Sequence, residues 1–435
     1  MPRRRARIPL HVFLNARLTG TLTREASGAI EFRYAPGWLA WEHALPISLS
    51  LPLREERFSG GSVQAVFDNL LPDGDAVRRR IAEQVHAQGH DAFSLLAAIG
   101  RDCVGALQML PEGEEPGPAG AVAGKVATPQ TIAQTVRELA EVPLGMRDEG
   151  EFRISIAGAQ EKTALLRWRG RWHIPGGSTA TTHILKPQIG RLRNGVDLSQ
   201  SVENEYLCLR LAKAFGLRVA GAEISDFDNV RVLVVERFDR HWTRNGRLLR
   251  VPQEDFCQAL GVPPAHKYEL DGGPGIREAL ELLRGSDDPE ADQKTFFRAQ
   301  IIFWLLGATD GHAKNFSVHL LPGGRFRLAP LYDIMSVQPY IDAHQLPWKR
   351  AKLAMAIGDR RRRQLNSVMP RHFLQTARRV RMHARGVEQT LAEIAGTVEH
   401  SLGAAEADLP DGFPKKLAAS IFAGVRARAK LLTQK

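Results

Sequence analysis

The pattern of apolar and polar residues changes along the chain from the spacing of strands to the spacing of helices. Near the N-terminus, His11–Leu14 and Ala29–Tyr34 are short alternating runs separated by turns rich in Gly and Thr, which is typical of β-strands. Residues 63–88 have helical spacing, broken by a turn at Pro72–Gly74. The segment 111–120 is acidic and rich in Pro and Gly. It predicts an exposed linker behind a β-rich N-terminal unit.

Strands and a single helix alternate in the middle of the chain, over residues 152–238. The helix is predicted at Glu203–Phe215, and Gly216 suits its C-terminal end because glycine adopts the left-handed conformation without strain. After Pro252 the spacing becomes mostly helical. The pattern therefore predicts a lobe of mixed structure followed by a largely helical lobe.

One β-hairpin interrupts the helical part. Phe316–Leu321 and Arg325–Leu331 are strand-like runs on either side of Pro-Gly-Gly, a turn-forming sequence. The apolar run Ile301–Leu306 ends at Gly307 and is far shorter than the roughly 18 residues needed to span a bilayer. It predicts a buried helix rather than a membrane segment.

The chain is strongly basic, with a net charge of +11 and a pI near 9.8. This balance indicates an anionic partner, either nucleic acid or phosphate, although it also fits a role in solubility alone. The hydrophobic content of 43% and charged content of 25% are those of an ordinary globular protein. A length of 435 residues suits two or three domains.

Two features bear on the cellular compartment. Residues 1–5 are basic, like the start of a signal peptide, but His11, Asn15 and Arg17 interrupt the apolar stretch that follows. We therefore expect a cytoplasmic protein without a membrane segment. The cysteines are odd in number and far apart, which fits neither a disulfide framework nor a zinc site. We expect reduced core residues at Cys103, Cys208 and Cys257.

The segment with the clearest chemistry joins the apolar helix to the hairpin. Asp310 and Asn315 have the spacing of a protein-kinase catalytic loop, and Asp333 follows the hairpin. Such a loop places a carboxylate beside an acceptor hydroxyl, while an amide and a second carboxylate hold a metal ion. Hard oxygen ligands of this kind suit Mg²⁺. The pattern therefore predicts Asp310 as the catalytic base, with Asn315 and Asp333 as Mg²⁺ ligands.

Each of these residues also has a plain structural explanation. The pair Asp310–Gly311 is common in turns, and Asp333 is suited to capping a helix. His312 follows Asp310, whereas a histidine precedes the aspartate in common protein kinases, so the match to those enzymes is one of arrangement only. The arrangement favours the kinase interpretation because the two acidic residues flank one hairpin.

A candidate lysine for the ATP phosphates lies upstream. Thr182–Lys186 is a short strand-like run that ends in this lysine, and Glu203 and Glu205 in the next helix are its candidate partners. Taken alone, these residues fit a surface lysine and two glutamates that favour a helix N-terminus. Their position ahead of Asp310 in the chain favours the kinase interpretation.

Two further segments fit an ATP site. Ser155–Thr163 contains small residues that would let backbone amides approach phosphate, although it is not a Walker A sequence. Val234–Asp239 is an apolar strand that turns polar, where a kinase hinge would present its backbone to adenine. A plain edge strand has the same pattern, so neither segment is specific alone.

Together these residues closely resemble the HipA toxin kinases. The resemblance spans residues 152–336 in matching order and spacing, and weaker similarity covers most of both flanks, including Phe67–Gly74. Residues 337–369 and those beyond Arg381 diverge most. The matching runs are Ser155–Leu166, Thr181–Lys186, Asn204–Tyr206, Glu236–Arg240, Pro252–Asp255, Gly307–Val318 and Tyr332–Ile334.

The resemblance implies an α+β fold with two lobes, like that of protein kinases. A β-rich N-terminal subdomain is added to it, and the C-terminal lobe is mainly α-helical. The predicted domains are the N-terminal subdomain at 1–110, the kinase N-lobe with phosphate loop and lysine at 111–255, and the helical C-lobe with catalytic loop and metal site at 256–435.

The resemblance also implies roles for individual residues. Asp310 is the catalytic base, Asn315 and Asp333 bind Mg²⁺, and Ser155 is autophosphorylated, which expels the phosphate loop and inactivates the kinase. The residues implied to contact ATP are Ala157, Gly158, Ala159, Gln160, Glu161, Lys162, Lys186, Glu236, Arg237, Phe238, His312, Ala313, Lys314, Asn315, Tyr332 and Asp333.

The implied activity is that of a serine/threonine-protein kinase toxin. Members of this family phosphorylate glutamyl-tRNA synthetase, which halts translation and promotes persistence and antibiotic tolerance. A HipB-like helix-turn-helix antitoxin neutralises them and binds operator DNA with the toxin as corepressor. The resemblance implies DNA contacts on a predicted helix at Arg378, Arg379, Val380 and Arg381. The run Arg360–Arg363 has no such support, and a solvated helix face explains it equally well.

Two other functions are alternatives to an active kinase toxin. A DNA-bound regulatory subunit with a vestigial kinase site is disfavoured because Lys186, Asp310, Asn315 and Asp333 are all present. A small-molecule or lipid kinase would share the fold and the Asp–Asn spacing. It would leave the Ser155 loop and an antitoxin partner without a reason.

Overall fold

The computed structural model describes residues 8–146 and 153–432. The basic residues 1–5 and Phe152, where the mixed region was predicted to begin, lie outside the described residues.

The N-terminal part is an antiparallel sheet with helices packed against it. Its elements are β1 (Leu10–Leu14), β2 (Arg17–Arg24), β3 (Ile30–Tyr34), α1 (Pro36–Leu39), β4 (Phe58–Ser59), α2 (Gly61–Asp68), α3 (Asp75–Gln84), α4 (Ala92–Ile99) and β5 (Leu107–Pro111). The strand order is β4-β3-β2-β1-β5. The two predicted strands are confirmed as β1 and β3, and the predicted turn separates α2 from α3.

The middle of the chain forms a second antiparallel sheet. Its elements and those that follow are β6 (Gly124–Val126), α5 (Pro129–Arg137), β7 (Thr163–Trp168), β8 (Arg171–Pro175), β9 (His183–Pro187), β10 (Gly190–Arg191), β11 (Asp197–Leu198), α6 (Ser201–Ala214), β12 (Ala222–Phe227), β13 (Val230–Glu236), β14 (Arg240–Trp242) and β15 (Leu248–Arg250). The six-stranded sheet has the order β12-β13-β9-β7-β8-β6. The predicted helix is confirmed as α6, and Gly216 follows it with a φ of +84°.

The C-terminal part is mainly helical. Its elements are β16 (Gln253–Asp255), α7 (Phe256–Ala259), α8 (Ile276–Leu283), α9 (Pro289–Leu306), β17 (Ser317–Leu320), β18 (Phe326–Leu328), α10 (Gln338–Asp342), β19 (Lys352–Ile357), β20 (Arg362–Gln364), α11 (Pro370–Arg379), α12 (Ala384–Ala407) and α13 (Lys415–Leu432). The predicted hairpin is confirmed as β17 and β18, with β16 paired to β17 on the other side.

The apolar run predicted to be a buried helix is the end of α9. All its side chains from Ile301 to Leu306 are buried, and Gly307 closes the helix with a φ of +69°. Arg428 of α13 approaches this end, where its Nε donates to the carbonyl of Leu305 at 2.9 Å and one terminal nitrogen donates to Gln338 at 2.8 Å. The last helix therefore caps the helix that leads into Asp310.

The interpretation of the four-arginine run as a helix face was wrong. Arg360–Arg363 lies in the turn and second strand of the β19–β20 hairpin. The alternation of Lys352–Ile357 was missed because this region was assigned to the helical pattern. Two of these arginines, Arg361 and Arg363, pair with Glu269 at 2.6 and 3.3 Å.

A buried cluster of charged residues joins the N-terminal part to the strands after the second sheet. Asp102 lies 2.7 Å from Arg240, 3.0 Å from Arg250 and 3.4 Å from Arg237. Asp239 pairs with Arg237 at 2.8 Å and with Arg240 at 3.0 Å. Burial alone would raise the pKa of Asp102, but the surrounding arginines hold it well below its usual range. The cluster therefore stays ionised and fixes the two parts against each other.

The remaining sequence predictions on the core agree with the structure. Cys103, Cys208 and Cys257 are free thiols, and all of them are buried. Within residues 8–146 and 153–432, helices long enough to cross a bilayer are too polar to do so.

Neutralising Asp102 tests the cluster. We expect Asp102→Asn to lower the free energy of unfolding by about 3–5 kcal/mol, because the buried Arg250 would lose its carboxylate partner while Arg237 and Arg240 would retain only Asp239. Guanidinium chloride unfolding followed by circular dichroism measures this change. Glu399→Gln, at an exposed pair with Arg426, is the matched control and should unfold like the wild type. Equal midpoints for the two variants would contradict a structural role for the cluster.

Candidate active site

A cavity of about 710 Å³ lies where the N-terminal part, the six-stranded sheet and the helical part meet. Asp310 and the residues predicted to contact ATP line it, with one exception. Ala313 is fully buried, and its amide donates to the carbonyl of Lys267 at 3.2 Å. Ala313 therefore supports the wall of the cavity from behind.

Lys186 lies at the centre of the cavity wall, on β9. Its Nζ donates to Glu205 at 2.7 Å and to Asp333 at 3.2 Å. Of the two candidate glutamates, Glu205 is therefore the partner of the lysine. Glu203 instead pairs with Arg231 at 3.1 Å and accepts a hydrogen bond from Gln188 at 2.7 Å. One turn of α6 thus holds two glutamates with different partners.

Lys186 and Asp333 each stabilise the charged form of the other. Burial alone would lower the pKa of Lys186, but Asp333 and Glu205 raise it above its usual value. Burial would raise the pKa of Asp333, and Lys186 and Lys162 lower it overall. At neutral pH the wall therefore presents a charged lysine beside a charged aspartate.

The residues of the predicted catalytic loop are held by hydrogen bonds at the cavity. The side-chain amide of Asn315 donates to the backbone carbonyl of Asp310 at 2.8 Å, which leaves the amide oxygen as the end available to a cation. Asp310 is exposed at the cavity surface, and its Oδ1 accepts a hydrogen bond from the Tyr268 hydroxyl at 2.6 Å. Partial burial raises the pKa of Asp310, and the bond from Tyr268 opposes that rise.

The donor set fits Mg²⁺. Asp333 and Asn315 supply a carboxylate and an amide oxygen on one wall of the cavity, and such hard oxygens are the ligands that Mg²⁺ prefers. Mg²⁺ typically takes few protein ligands and completes its octahedron with water and substrate phosphates. Residues Asn315 and Asp333 would therefore hold the ion on its protein side.

The predicted phosphate loop is shaped by Gly158. Its φ is +107°, and a Cβ at this position would lie 2.5 Å from Nζ of Lys162. That ammonium group donates to the carbonyl of Ala157 at 2.6 Å. Burial, together with the charge of Lys186, lowers the pKa of Lys162 to about 8. The loop therefore brings a second cation to the cavity, and no carboxylate among residues 8–146 and 153–432 is hydrogen-bonded to it.

Asp73 of the N-terminal part was not predicted as a site residue. Its backbone amide donates to the carbonyl of Gly158 at 3.1 Å. Its carboxylate pairs with Lys267 at 2.7 Å and with Lys314 at 2.9 Å. Burial would raise the pKa of Asp73, but these two lysines lower it to about 2. The resemblance of Phe67–Gly74 was the available signal, but nothing in the sequence assigned it a contact.

The predicted hinge runs along one edge of the cavity. The amide of Glu236 donates to Gly221 at 2.7 Å and that of Arg237 to Thr182 at 2.9 Å. Phe238 lies next in the chain, with its ring 5.7 Å from that of Tyr332. The guanidinium of Arg237 belongs to the buried charge cluster, so only its backbone faces the cavity.

Polar atoms without partners remain in residues of the cavity wall. In the part of the chain that the structure describes, Asn69 Oδ1, Gln253 Oε1 and His312 Nδ1 are buried and have no hydrogen-bond partner. Each belongs to a residue that lines the cavity. Because these three atoms have almost no solvent-accessible surface, they lie behind the cavity surface and not in contact with its contents.

Ser155 does not line the cavity. It is fully buried, and its hydroxyl donates to the carbonyl of Leu70 at 2.7 Å. Its backbone amide donates to the carbonyl of Asp102 at 2.9 Å. In this arrangement the Ser155 hydroxyl cannot reach the cavity, where it would have to lie to accept a phosphoryl group.

The predicted DNA-contacting residues lie at the end of α11. Arg378, Arg379 and Arg381 are exposed, and Arg379 also donates to the carbonyl of Gly358 at 3.1 Å. Two details of the prediction need correction. Arg381 lies beyond the helix, with a φ of +60°, because α11 ends at Arg379. The side chain of Val380 is buried, and its carbonyl accepts a hydrogen bond from Arg284.

Comparisons with known proteins match most of the chain. Residues 154–402 match the model of the HipA-like C-terminal domain, and residues 10–110 match that of the HipA N-terminal domain. The protein Y4mE of Sinorhizobium fredii, provisionally named a kinase, is 40% identical over 354 residues, which cover 81% of each chain. The serine/threonine-protein kinase toxin HipA of Shewanella oneidensis is 29% identical over 374 residues, covering 81% of this chain and 79% of that protein.

A solved structure matches nearly the whole chain. It is the complex of HipA, HipB and operator DNA from Shewanella oneidensis, with a TM-score of 0.80 and 25% identity. The match covers 97% of this chain and 96% of that chain. The predicted two-lobed α+β fold with an added N-terminal subdomain is thereby confirmed, as is the resemblance itself.

The buried state of His312 predicts a pH effect on stability. Burial, with a further contribution from Lys267, lowers the pKa of His312 from 6.5 to about 4. Between pH 6.5 and about 4 the unfolded chain binds a proton at His312 that the folded protein does not bind. The free energy of unfolding should therefore fall by about 3 kcal/mol as the pH is lowered through this window.

Urea unfolding at a series of pH values between these limits measures the effect. His312→Gln should lack this part of the pH dependence, whereas His43→Gln, at an exposed histidine, should retain it. The same pH dependence in all three proteins would contradict a buried, neutral His312.

Proposed function

The chain belongs to the family of HipA-like kinases, and on that premise we propose that it is the toxin of a toxin–antitoxin pair, a serine/threonine-protein kinase that transfers the γ-phosphate of ATP to a protein serine. The observation that carries the proposal is the joint placement of Lys186, Asp310, Asn315 and Asp333 around one cavity. Their order along the chain and their placement around one cavity support a role in phosphoryl transfer.

Each residue then has a distinct task. Bound Mg²⁺-ATP supplies the phosphoryl group and spreads its negative charge. Asn315 and Asp333 would hold the ion, and the charged Lys186, held by Glu205 and Asp333, would bind the phosphates. Asp310 would orient the acceptor hydroxyl and take its proton. The backbone at Phe238 would contact adenine.

The phosphate loop would also take part in binding the ATP phosphates. Its left-handed Gly158 lets the backbone approach an anion closely, and Lys162 adds a positive charge to the loop. Asp73 joins the two loops, because its amide donates to Gly158 of the phosphate loop and its carboxylate pairs with Lys314 of the catalytic loop. Binding of the phosphates and acceptance of the proton would thus occur in one cavity.

The protein substrate that we propose is glutamyl-tRNA synthetase, whose phosphorylation would halt translation and promote persistence. This assignment rests on the family resemblance stated above. We place the reaction in the cytoplasm, where ATP and this substrate are found.

We also propose that Ser155 is autophosphorylated and that the modification inactivates the protein. The hydroxyl is buried against the carbonyl of Leu70, so a dianionic phosphate does not fit in the same position. Phosphorylation would therefore require the segment to leave its place and would prevent its return. The phosphate loop, which begins two residues later at Ala157, would be displaced with it.

The proposed partners are a HipB-like helix-turn-helix antitoxin and operator DNA. The similar structure from Shewanella oneidensis is a complex with HipB and operator DNA, which supports this proposal. The exposed arginines Arg378 and Arg381 would contact DNA phosphates, with the protein acting as corepressor.

Phosphate incorporation tests the kinase proposal directly. The protein is expressed with its antitoxin, incubated with Mg²⁺-ATP, and analysed by intact mass and peptide mapping. We expect phosphate on Ser155 in the wild type and none in Asp310→Ala, because the variant lacks the base. Asp411→Ala, at an exposed aspartate, is the matched control and should be phosphorylated like the wild type.

The absence of phosphate from the wild type, despite measurable ATP binding, would overturn the active-kinase proposal. It would favour the alternative of a DNA-bound regulatory subunit with a vestigial kinase site. Phosphate on the Asp310→Ala protein at the wild-type rate would instead reject Asp310 as the base.

The DNA proposal has its own test. Replacing Arg378 and Arg381 by alanine should weaken binding of the toxin–antitoxin complex to operator DNA. Each lost phosphate contact should reduce the slope of log K against log salt by about 0.9. Fluorescence anisotropy over a salt series measures it, with Arg244→Ala, at an exposed arginine in another turn, as the control. An unchanged slope in the double variant would reject these contacts.

A further inference from the structure

Tyr268 has a contact with the catalytic loop that the functions assigned so far do not explain. Its hydroxyl donates to Oδ1 of Asp310 at 2.6 Å, a short hydrogen bond for this pair of atoms. Its ring lies edge-on to His312, with 4.7 Å between the ring centroids. Both Tyr268 and Asp310 line the cavity. The carboxylate proposed to meet the acceptor thus already has a partner on one of its two oxygens.

The residue before Tyr268 is bonded to the N-terminal part and to the catalytic loop. The preceding residue, Lys267, pairs with Asp73 at 2.7 Å, and its carbonyl accepts the amide of Ala313 at 3.2 Å. These bonds fix the backbone beside Tyr268 to both walls of the cavity.

The residue after Tyr268 is bonded to the β19–β20 hairpin. Glu269 accepts the amide of Ala356 at 2.5 Å and pairs with Arg361 at 2.6 Å. The carbonyl of Tyr268 itself accepts the amide of Gly273 at 2.9 Å. Gly273 packs so closely that a Cβ there would lie 1.7 Å from the carbonyl of His266. The hydroxyl of Tyr268 is therefore presented by a fixed backbone.

We propose that Tyr268 is a positioning residue for phosphoryl transfer, which holds the Asp310 carboxylate by one oxygen so that the other oxygen faces the acceptor hydroxyl. The proposal rests on the proposed kinase function. A carboxylate has two oxygens with separate lone pairs, so a donor on Oδ1 leaves Oδ2 for the substrate. Among the hydrogen bonds of the described residues, the structure gives Asp310 Oδ2 none.

A second interpretation of the same bond is an internal block, in which the tyrosine hydroxyl occupies the place of the acceptor and must leave before reaction. The fixed backbone around Tyr268 argues against it. Displacement of the side chain would break the contact with His312 and leave the segment held by Asp73, Glu269 and Gly273 in place. The two interpretations predict opposite effects of removing the hydroxyl.

Tyr268→Phe separates them, because it removes only the hydroxyl and retains the ring beside His312. We expect the rate constant of phosphate incorporation into Ser155 at saturating Mg²⁺-ATP to fall about 10- to 100-fold, since a misplaced catalytic group costs rate of this order. The ATP concentration for half-maximal rate, and the affinity for ATP measured by calorimetry, should remain at the wild-type values. A merely structural tyrosine would change the melting temperature without this selective loss of rate.

Tyr206→Phe is the matched control. Within the described residues its hydroxyl likewise donates one hydrogen bond, to the carbonyl of Asp408 at 3.0 Å. We expect it to phosphorylate Ser155 at the wild-type rate. A faster reaction in Tyr268→Phe would support the internal block and overturn the proposal, as would an unchanged rate.

A structural measurement keeps the proposal testable if the wild type itself incorporates no phosphate. That result would contradict the kinase function on which the proposal rests, but whether Tyr268 holds the Asp310 carboxylate would still be open to a direct test. Crystal structures of the wild type and Tyr268→Phe would then be compared at the Asp310 side chain. A rotated or poorly ordered carboxylate in the variant is expected, and an identical, well-ordered carboxylate would overturn the positioning role.

Discussion

Asp102 is a carboxylate without access to water, and the way in which its charge is balanced determines how the protein is assembled. Ionised side chains are stable in the interior only when they are paired. Asp102 belongs to the N-terminal part, whereas its partners Arg237, Arg240 and Arg250 come from the hinge and the strands after it. The bonds that satisfy the charge therefore also set the orientation of the subdomain. The cavity depends on that orientation, because the subdomain supplies Asp73 and supports the phosphate loop.

A second set of contacts connects the two sides of the cavity through α6. Glu205 holds Lys186 on the sheet, and the adjacent Asn204 makes two hydrogen bonds to the backbone of Ser336, three residues after Asp333. One turn of helix thus positions both the lysine and the segment that carries Asp333. A shift of α6 would move both groups together, which explains why so much of this helix is buried and polar at once.

The sequence predicted those parts of the site that lie close together in the chain. The spacing of Asp310 and Asn315, and the hairpin that separates them from Asp333, are local patterns with a local cause. The contacts of Asp73 and Tyr268 were not predictable in this way, because they join segments distant in sequence and leave no periodic signal. The choice between Glu203 and Glu205 also required coordinates, since both lie in one helical turn and only the packing of the helix decides which side chain faces Lys186.

The capping of α9 by Arg428 has a consequence for synthesis of the protein. A chain emerges from the ribosome from its N-terminus, so Asp310 and Asp333 are made well before α13. Until then, the carbonyl of Leu305 at the end of α9 lacks the guanidinium that it accepts in the folded protein. A chain that stops short of α13 would therefore contain Lys186, Asp310, Asn315 and Asp333 but would lack the hydrogen bond that closes the helix leading into Asp310.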